Sequence, residues 1–231
     1  MDQTVTFTSI QIYALLTAPW LLIPSMSLAF SLLAAWLGRD LGYVLGFGVY
    51  WLVWCLGIPL ALLGRAGLRP LFQEHTPLFQ ARQWPWVLLL GLTTAGALSL
   101  YFIPLAAQTP LPLILIGVLV AVINGYCEEL LWRGLYVKAF PRQPIWGVVY
   151  PAAGFALWHV APQLVYPAPE GVGALVGSAF GLGLGYGAVA HQTGAMKWVG
   201  LSHSVNGVLA FGGALAPSLL RLVVAAGRGP G

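Results

Sequence analysis

The chain has 231 residues, of which 59% are apolar and 7% charged, against roughly 25% charged in an ordinary soluble domain. That balance excludes a soluble globular protein and implies an integral membrane one. The net charge of +4 comes from ten Lys and Arg spread along the chain, which excludes the clustered basic face of a nucleic-acid binder.

Apolar runs this long satisfy their own backbone groups in lipid only as helices, so the expected fold is an all-α polytopic helix bundle filling residues 1–231 as a single transmembrane domain. Met1 to Ile10 carries Asp2 and no Lys or Arg. It lacks the positive start of a cleaved signal peptide, so the first span is expected to be retained. That span, Gln11 to Leu37, should be kinked or broken by Pro19 and Pro24. Arg39-Asp40 separates it from a second span, Leu41 to Leu63. From Gly64 to Gln83 the chain turns polar while keeping Leu68, Leu71, Phe72, Leu78 and Phe79, which predicts a segment lying on the membrane surface.

The third span is Trp84 to Ile103, ended by Pro104, and the fourth is Leu111 to Val137, closed by Lys138 and Arg142. Spans five to eight follow at Pro144 to Val165, Val172 to Ala190, Met196 to Phe211 and Gly213 to Ala226. With loops assigned alternately, one side collects Arg65, Arg69, Arg82, Lys138, Arg142, Lys197 and Arg228, and the other only Arg39. The positive-inside rule then places both termini in the cytoplasm and favours eight spans. Gly173, Gly177, Gly181 and Gly185 repeat every fourth residue in span six, a pattern that suits a helix packing face or a groove for an extended peptide.

The least expected stretch is Asn124-Gly125-Tyr126-Cys127-Glu128-Glu129-Leu130-Leu131-Trp132-Arg133-Gly134. Each charge at the bilayer centre costs ~2.5 to 3.5 kcal/mol on insertion scales, so an intramembrane Glu pair marks a functional site. Arg133 lies four residues after Glu129, in helical register to pair with it. Glu128 points about 100° away and is expected to have no partner within its own helix, which leaves it free to work. His159 and His203 also fall inside apolar spans, whereas His75 reads as a surface residue and His191 as an interfacial one. Measured from Arg142 and Lys197 along helices, Glu128, His159 and His203 lie roughly 21, 25 and 9 Å deep, compatible with one buried site. Cys55 and Cys127 read as small core hydrophobes and form no metal-type spacing.

Glu128-Glu129-x-x-x-Arg133, then Phe155-x-x-x-His159, then His203 after Gly185-Tyr186-x4-His191-x-Thr193-Gly194, resemble the three ordered motifs of the CPBP family. These are the CAAX proteases and bacteriocin-processing enzymes, also called the Abi family. The resemblance covers about Asn124 to Leu209 and implies a catalytic region at about 111–211, an eight-helix fold, a bacterial inner-membrane location and intramembrane hydrolysis of peptide bonds. It implies that Glu128 activates water, His159 and His203 position it, and Arg133 holds Glu129, with Phe155 in support. The family's third motif usually has Asn four residues after His. Here Asn206 follows at three and Gly207 takes the fourth place, yet Asn206 still lies near the histidine's face, where it could stabilise an oxyanion.

The substrate expected is a membrane-associated peptide or protein: a prenylated CAAX protein, a bacteriocin leader or a C-terminal sorting signal. No cofactor is expected. A zinc-dependent protease is the alternative on the same residues, since two His, a carboxylate and water make an open catalytic site, although no His-Glu-x-x-His motif favours it. A proton relay or transporter would use the same charges, but no inverted repeat is evident. A non-catalytic immunity or scaffold protein is the remaining reading, against which intact Glu128, His159 and His203 argue.

Overall fold

The computed structural model describes residues 6–228, so Asp2 and the first half of the Met1 to Ile10 stretch lie outside them. Among the described residues all regular structure is helical, in eight helices. These are α1 (Ser9–Leu37), α2 (Arg39–Phe72), α3 (Ala81–Gln108), α4 (Leu111–Ala139), α5 (144–163), α6 (Val172–Thr193), α7 (Lys197–Leu209) and α8 (Leu215–Gly227). They follow the order of the eight expected segments. Five of them, α1, α2, α3, α4 and α6, are long and apolar enough to cross a membrane. By contrast α5 is interrupted at His159, and α7 and α8 have 13 residues each.

α1 is not broken by its prolines. It starts with a reciprocal cap between Thr8 and Gln11 and runs through Pro19 and Pro24 to Leu37. Pro19 has no N–H to give the Leu15 carbonyl one turn earlier. That carbonyl instead accepts a hydrogen bond from the Tyr136 hydroxyl of α4 at 2.7 Å, and the next one, Leu16, accepts from Tyr150 of α5. Neighbouring helices thus replace the missing donor, as membrane bundles with internal proline require. α2 changes direction at Gly64, whose φ of 65° suits glycine, close to the expected end of span two.

The surface segment is fastened at one end of the bundle rather than lying loose. Leu71 and Leu78 are buried, the backbone N–H groups of His75 and Thr76 donate to the Thr193 carbonyl, and Glu74 pairs with Lys197 at 2.8 Å. Lys138 joins the same end, donating to the Gln73 carbonyl and lying 3.2 Å from His75. The turns after α2, α4 and α6 therefore meet, as alternating crossings demand. At the opposite end Arg39 donates to the Val165 carbonyl, while Arg221 of α8 and Tyr166 both bond to Asp40.

Two close approaches fix the core. α4 and α7 run antiparallel, with Gly117 against Phe211, Ala121 against Gly207 and Gly125 against Ser204. On α6 the tightest glycine contacts are Gly183, against Ala152 and Arg133, and Gly187, against Val148, while Gly185 of the expected stripe makes an ordinary contact with Leu89 of α3. The rest of that stripe behaves differently. A Cβ on Gly173, Gly177 or Gly181 would meet no neighbour within 4 Å among the described residues, so those three do not form a packing face within the chain.

Candidate active site

Glu128 and Glu129 end the regular part of α4, and the next residues, Leu130–Leu135, widen into a π-helical turn. Such turns recur at functional sites because they redirect side chains without ending the helix. Both carboxylates are buried, as is Arg133. Arg133 Nη1 donates to Glu129 Oε1 at 2.9 Å, the pair expected from the spacing. The guanidinium also lies over the Phe155 ring, 4.2 Å from its centroid, so Phe155 covers the cation on its apolar side.

Glu128 is not without a partner in its own helix. Asn124, one turn earlier, donates from Nδ2 to Glu128 Oε2 at 2.9 Å. A second neutral donor comes from α5, where Trp158 Nε1 reaches Glu128 Oε1 at 2.9 Å. Asn124 in turn accepts from Trp51 Nε1 of α2 at 2.9 Å, and the Trp158 indole stacks on Tyr50 of α2 at 3.6 Å and 15°. The spacing of Asn124 and Glu128 was legible, whereas the three tryptophan and tyrosine contacts come from other helices and carry no local signal.

His203 of α7 stands between the two carboxylates. Its Nδ1 lies 2.8 Å from Glu129 Oε1 and its Nε2 lies 3.5 Å from Glu128 Oε2. Since an ionised carboxylate only accepts, Nδ1 carries a proton there. His159 is fixed differently. Its Nδ1 sits 2.7 Å from the Phe155 carbonyl, which also only accepts, so the neutral ring keeps its lone pair on Nε2. Phe155 touches both imidazoles, with ring centroids 4.7 Å from His159 and 6.1 Å from His203. Glu128 and His203 meet because α4 and α7 cross where Gly125 admits Ser204, next to His203.

Asn206 lies one turn along from His203, as its offset of three allows. It donates from Nδ2 to the Tyr186 hydroxyl at 2.7 Å, and that hydroxyl lies 3.2 Å from Ser202 Oγ. Tyr186 is the tyrosine of the Gly-Tyr stretch, so α6 reaches the site through it. His75 and His191 stay apart from this group: His75 packs against Gly194, and His191 against Gly147. Cys55 and Cys127 are free thiols, the first buried and the second half-buried.

Among the described residues no three His, Cys, Asp or Glu side chains converge as metal ligands. Here the nitrogens of His203 face the two carboxylates separately, each with its own hydrogen-bonding partner.

Residues 109–209 match the type II CAAX prenyl endopeptidase Rce1-like family model. The CPBP resemblance thus holds over the segment that carries Glu128, Glu129, Arg133, Phe155, His159, His203 and Asn206. No curated protein and no solved structure matches the chain. The Rce1-like family is a family of proteases, and its match here falls on a helical bundle with five helices able to cross a membrane.

Proposed function

We propose that the chain is an intramembrane endopeptidase in which Glu128 takes a proton from the water that attacks a peptide carbonyl. The observation that supports this reading is the unequal treatment of the two carboxylates around His203. Glu129 is matched by the permanent cation Arg133, whereas Glu128 is held by the neutral N–H groups of Asn124 and Trp158. A carboxylate oriented in this way keeps a basic electron pair aimed and available.

In this scheme the water is held by Glu128 and His203 Nε2, which lie 3.5 Å apart, with the free Nε2 of His159 as its further partner. As its oxygen bonds to the carbonyl carbon, one proton passes to Glu128 and the carbonyl pair moves onto oxygen. The second amide hydrogen of Asn206 would serve the oxyanion, a type of contact worth ~2.7 to 4 kcal/mol in other hydrolases. Collapse breaks the C–N bond, and Glu128 returns its proton to the leaving amine. No metal takes part in this scheme.

A membrane-associated substrate follows from the family match. An apolar cavity between α3 and α7, bordered by Phe79, Leu90, Trp198 and Leu201, reaches Ser202 beside Tyr186 and suits an apolar or lipid-modified substrate end. A prenylated peptide ending in a CAAX-type sequence is therefore the first substrate to test. Purified, detergent-solubilised protein should cleave it, and Glu128→Gln should accumulate normally in membranes without cleaving. Undiminished cleavage by Glu128→Gln would remove Glu128 from the chemistry.

A further inference from the structure

Resting on Glu128 as the base, we propose that Trp51 of α2 is a positioning residue for hydrolysis and acts through Asn124. An indole N–H can only donate and an ionised carboxylate can only accept, while a carboxamide has one end of each kind. Trp51 Nε1 lies 2.9 Å from Asn124 Oδ1, and Asn124 Nδ2 lies 2.9 Å from Glu128 Oε2. Only one of the two amide orientations satisfies both neighbours. Without the indole N–H the amide is held only at its Nδ2 end and can swing as a unit, so the donor to Glu128 loses its fixed direction.

The same stretch of α2 supports the other donor. Tyr50, adjacent to Trp51, stacks on the Trp158 ring whose N–H reaches Glu128 Oε1, and its hydroxyl accepts from Trp132 Nε1 at 2.8 Å. Both residues open the π-helical turn Tyr50–Gly57, where neighbouring side chains can face one site together. α2 lies outside the matched segment 109–209, so this role adds to what that match covers.

Trp51 is half-buried and packs on Phe47 with ring centroids 5.8 Å apart, so Trp51→Phe keeps an aromatic ring while deleting the donor. The test is a double-mutant cycle on full-length, detergent-purified protein cleaving a prenylated CAAX-type peptide, with Trp51→Phe, Asn124→Ala and both together. Rates are taken per folded molecule, judged by size-exclusion profile and thermal unfolding midpoint. Trp51→Phe should lower kcat about three- to tenfold with KM unchanged, the worth of one ordinary hydrogen bond. It should lower kcat no further in the Asn124→Ala background. A wild-type kcat in Trp51→Phe, or losses that multiply in the double variant, would overturn the proposal. If Asn124→Ala has no measurable activity, the kcat of Trp51→Phe decides alone. Glu128→Gln is run beside them: activity there defeats the proposed base, while its loss together with an unaffected Trp51→Phe defeats only the role of Trp51.

Discussion

Gly125 of α4 lies against Ser204 of α7 with no room for a side chain between them, since a Cβ there would fall 2.5 Å from Ser204 Oγ and 2.7 Å from its backbone nitrogen. This contact brings Glu128 and Glu129, one turn further along α4, to His203 on α7. Gly125→Ala must push the helices apart, and overpacking of this kind costs about 1 to 3 kcal/mol. The unfolding midpoint in detergent should fall, and cleavage should fall with it because His203 moves away from both carboxylates. Gly173→Ala, with open space around it, should leave both unchanged. An unaltered midpoint and activity in Gly125→Ala would show that the crossing is not needed.

Much of the site was legible because it is written in helical offsets. Glu129 and Arg133 pair at a spacing of four, and the ordered Glu, His and His motifs do come together. The same rule applied to Asn124 and Glu128 would have found the donor that was overlooked. Trp51, Tyr50 and Trp158 were not legible, because an aromatic residue in an apolar span looks the same whether it faces lipid or a carboxylate. Their roles depend on how α2 and α5 pack against α4. The continuity of α1 through its prolines was not legible for a similar reason, since the hydroxyl that replaces the missing donor sits on Tyr136, more than a hundred residues away. In the four-residue glycine stripe Gly173, Gly177 and Gly181 have no neighbour among the described residues, and Gly185 makes an ordinary contact with Leu89. Closer packing uses Gly183 and Gly187 on another face of the same helix.

Arg133 and Glu128 should separate stability from chemistry. Arg133→Ala leaves the buried Glu129 without its cation, and breaking a buried pair in this way costs ~3 to 5 kcal/mol. The variant should accumulate poorly and unfold at a lower temperature. Glu128→Gln keeps the shape and the Trp158 contact, so it should be abundant and inactive. Immunoblots of membrane fractions beside a peptide-cleavage assay read both quantities. Full abundance and full activity of Arg133→Ala would refute the structural role of the pair.

The bond from Tyr136 to the Leu15 carbonyl makes a prediction about stability alone. Tyr136→Phe removes the hydroxyl that serves the carbonyl exposed by Pro19, leaving a buried acceptor unsatisfied at a cost of about 1 to 3 kcal/mol. Replacing Pro19 by Ala at the same time restores the helical N–H and should recover most of the loss. Thermal unfolding of the single and double variants measures this, and an equal loss in both would mean that Pro19 is not the cause.

Hydrolysis by Glu128 and two imidazoles should survive metal removal. After exhaustive chelation, with elemental analysis of the same sample, cleavage of a prenylated peptide should continue at an unchanged rate. The reason lies in the arrangement: among the described residues no three His, Cys, Asp or Glu side chains converge as metal ligands. Loss of activity on chelation and recovery with stoichiometric zinc would overturn the scheme.

The final prediction concerns topology, and it departs from the expectation that both termini share the basic side. The end of the bundle holding Lys138, Lys197 and the 72–80 segment is the basic one, and should face the cytoplasm. Gly212 lies against both Gly117 of α4 and Ala216 of α8, so α8 starts about two turns inside the α4 end of the bundle. Six residues into the helix, Arg221 grips Asp40 with both Nε and Nη2 at 2.6 to 3.1 Å, and Asp40 sits at the α1–α2 turn on the far end. A helix directed back to the basic side would have carried Arg221 about 9 Å the other way, beyond the reach of its side chain to Asp40. The 13 residues of α8 would in any case span only ~20 Å. A reporter inserted within residues 72–80 should therefore read cytoplasm, while one fused after the last residue should read the opposite side. Cytoplasmic signals from both would restore an eighth crossing and would require the Arg221 contact with Asp40 to be absent in the membrane.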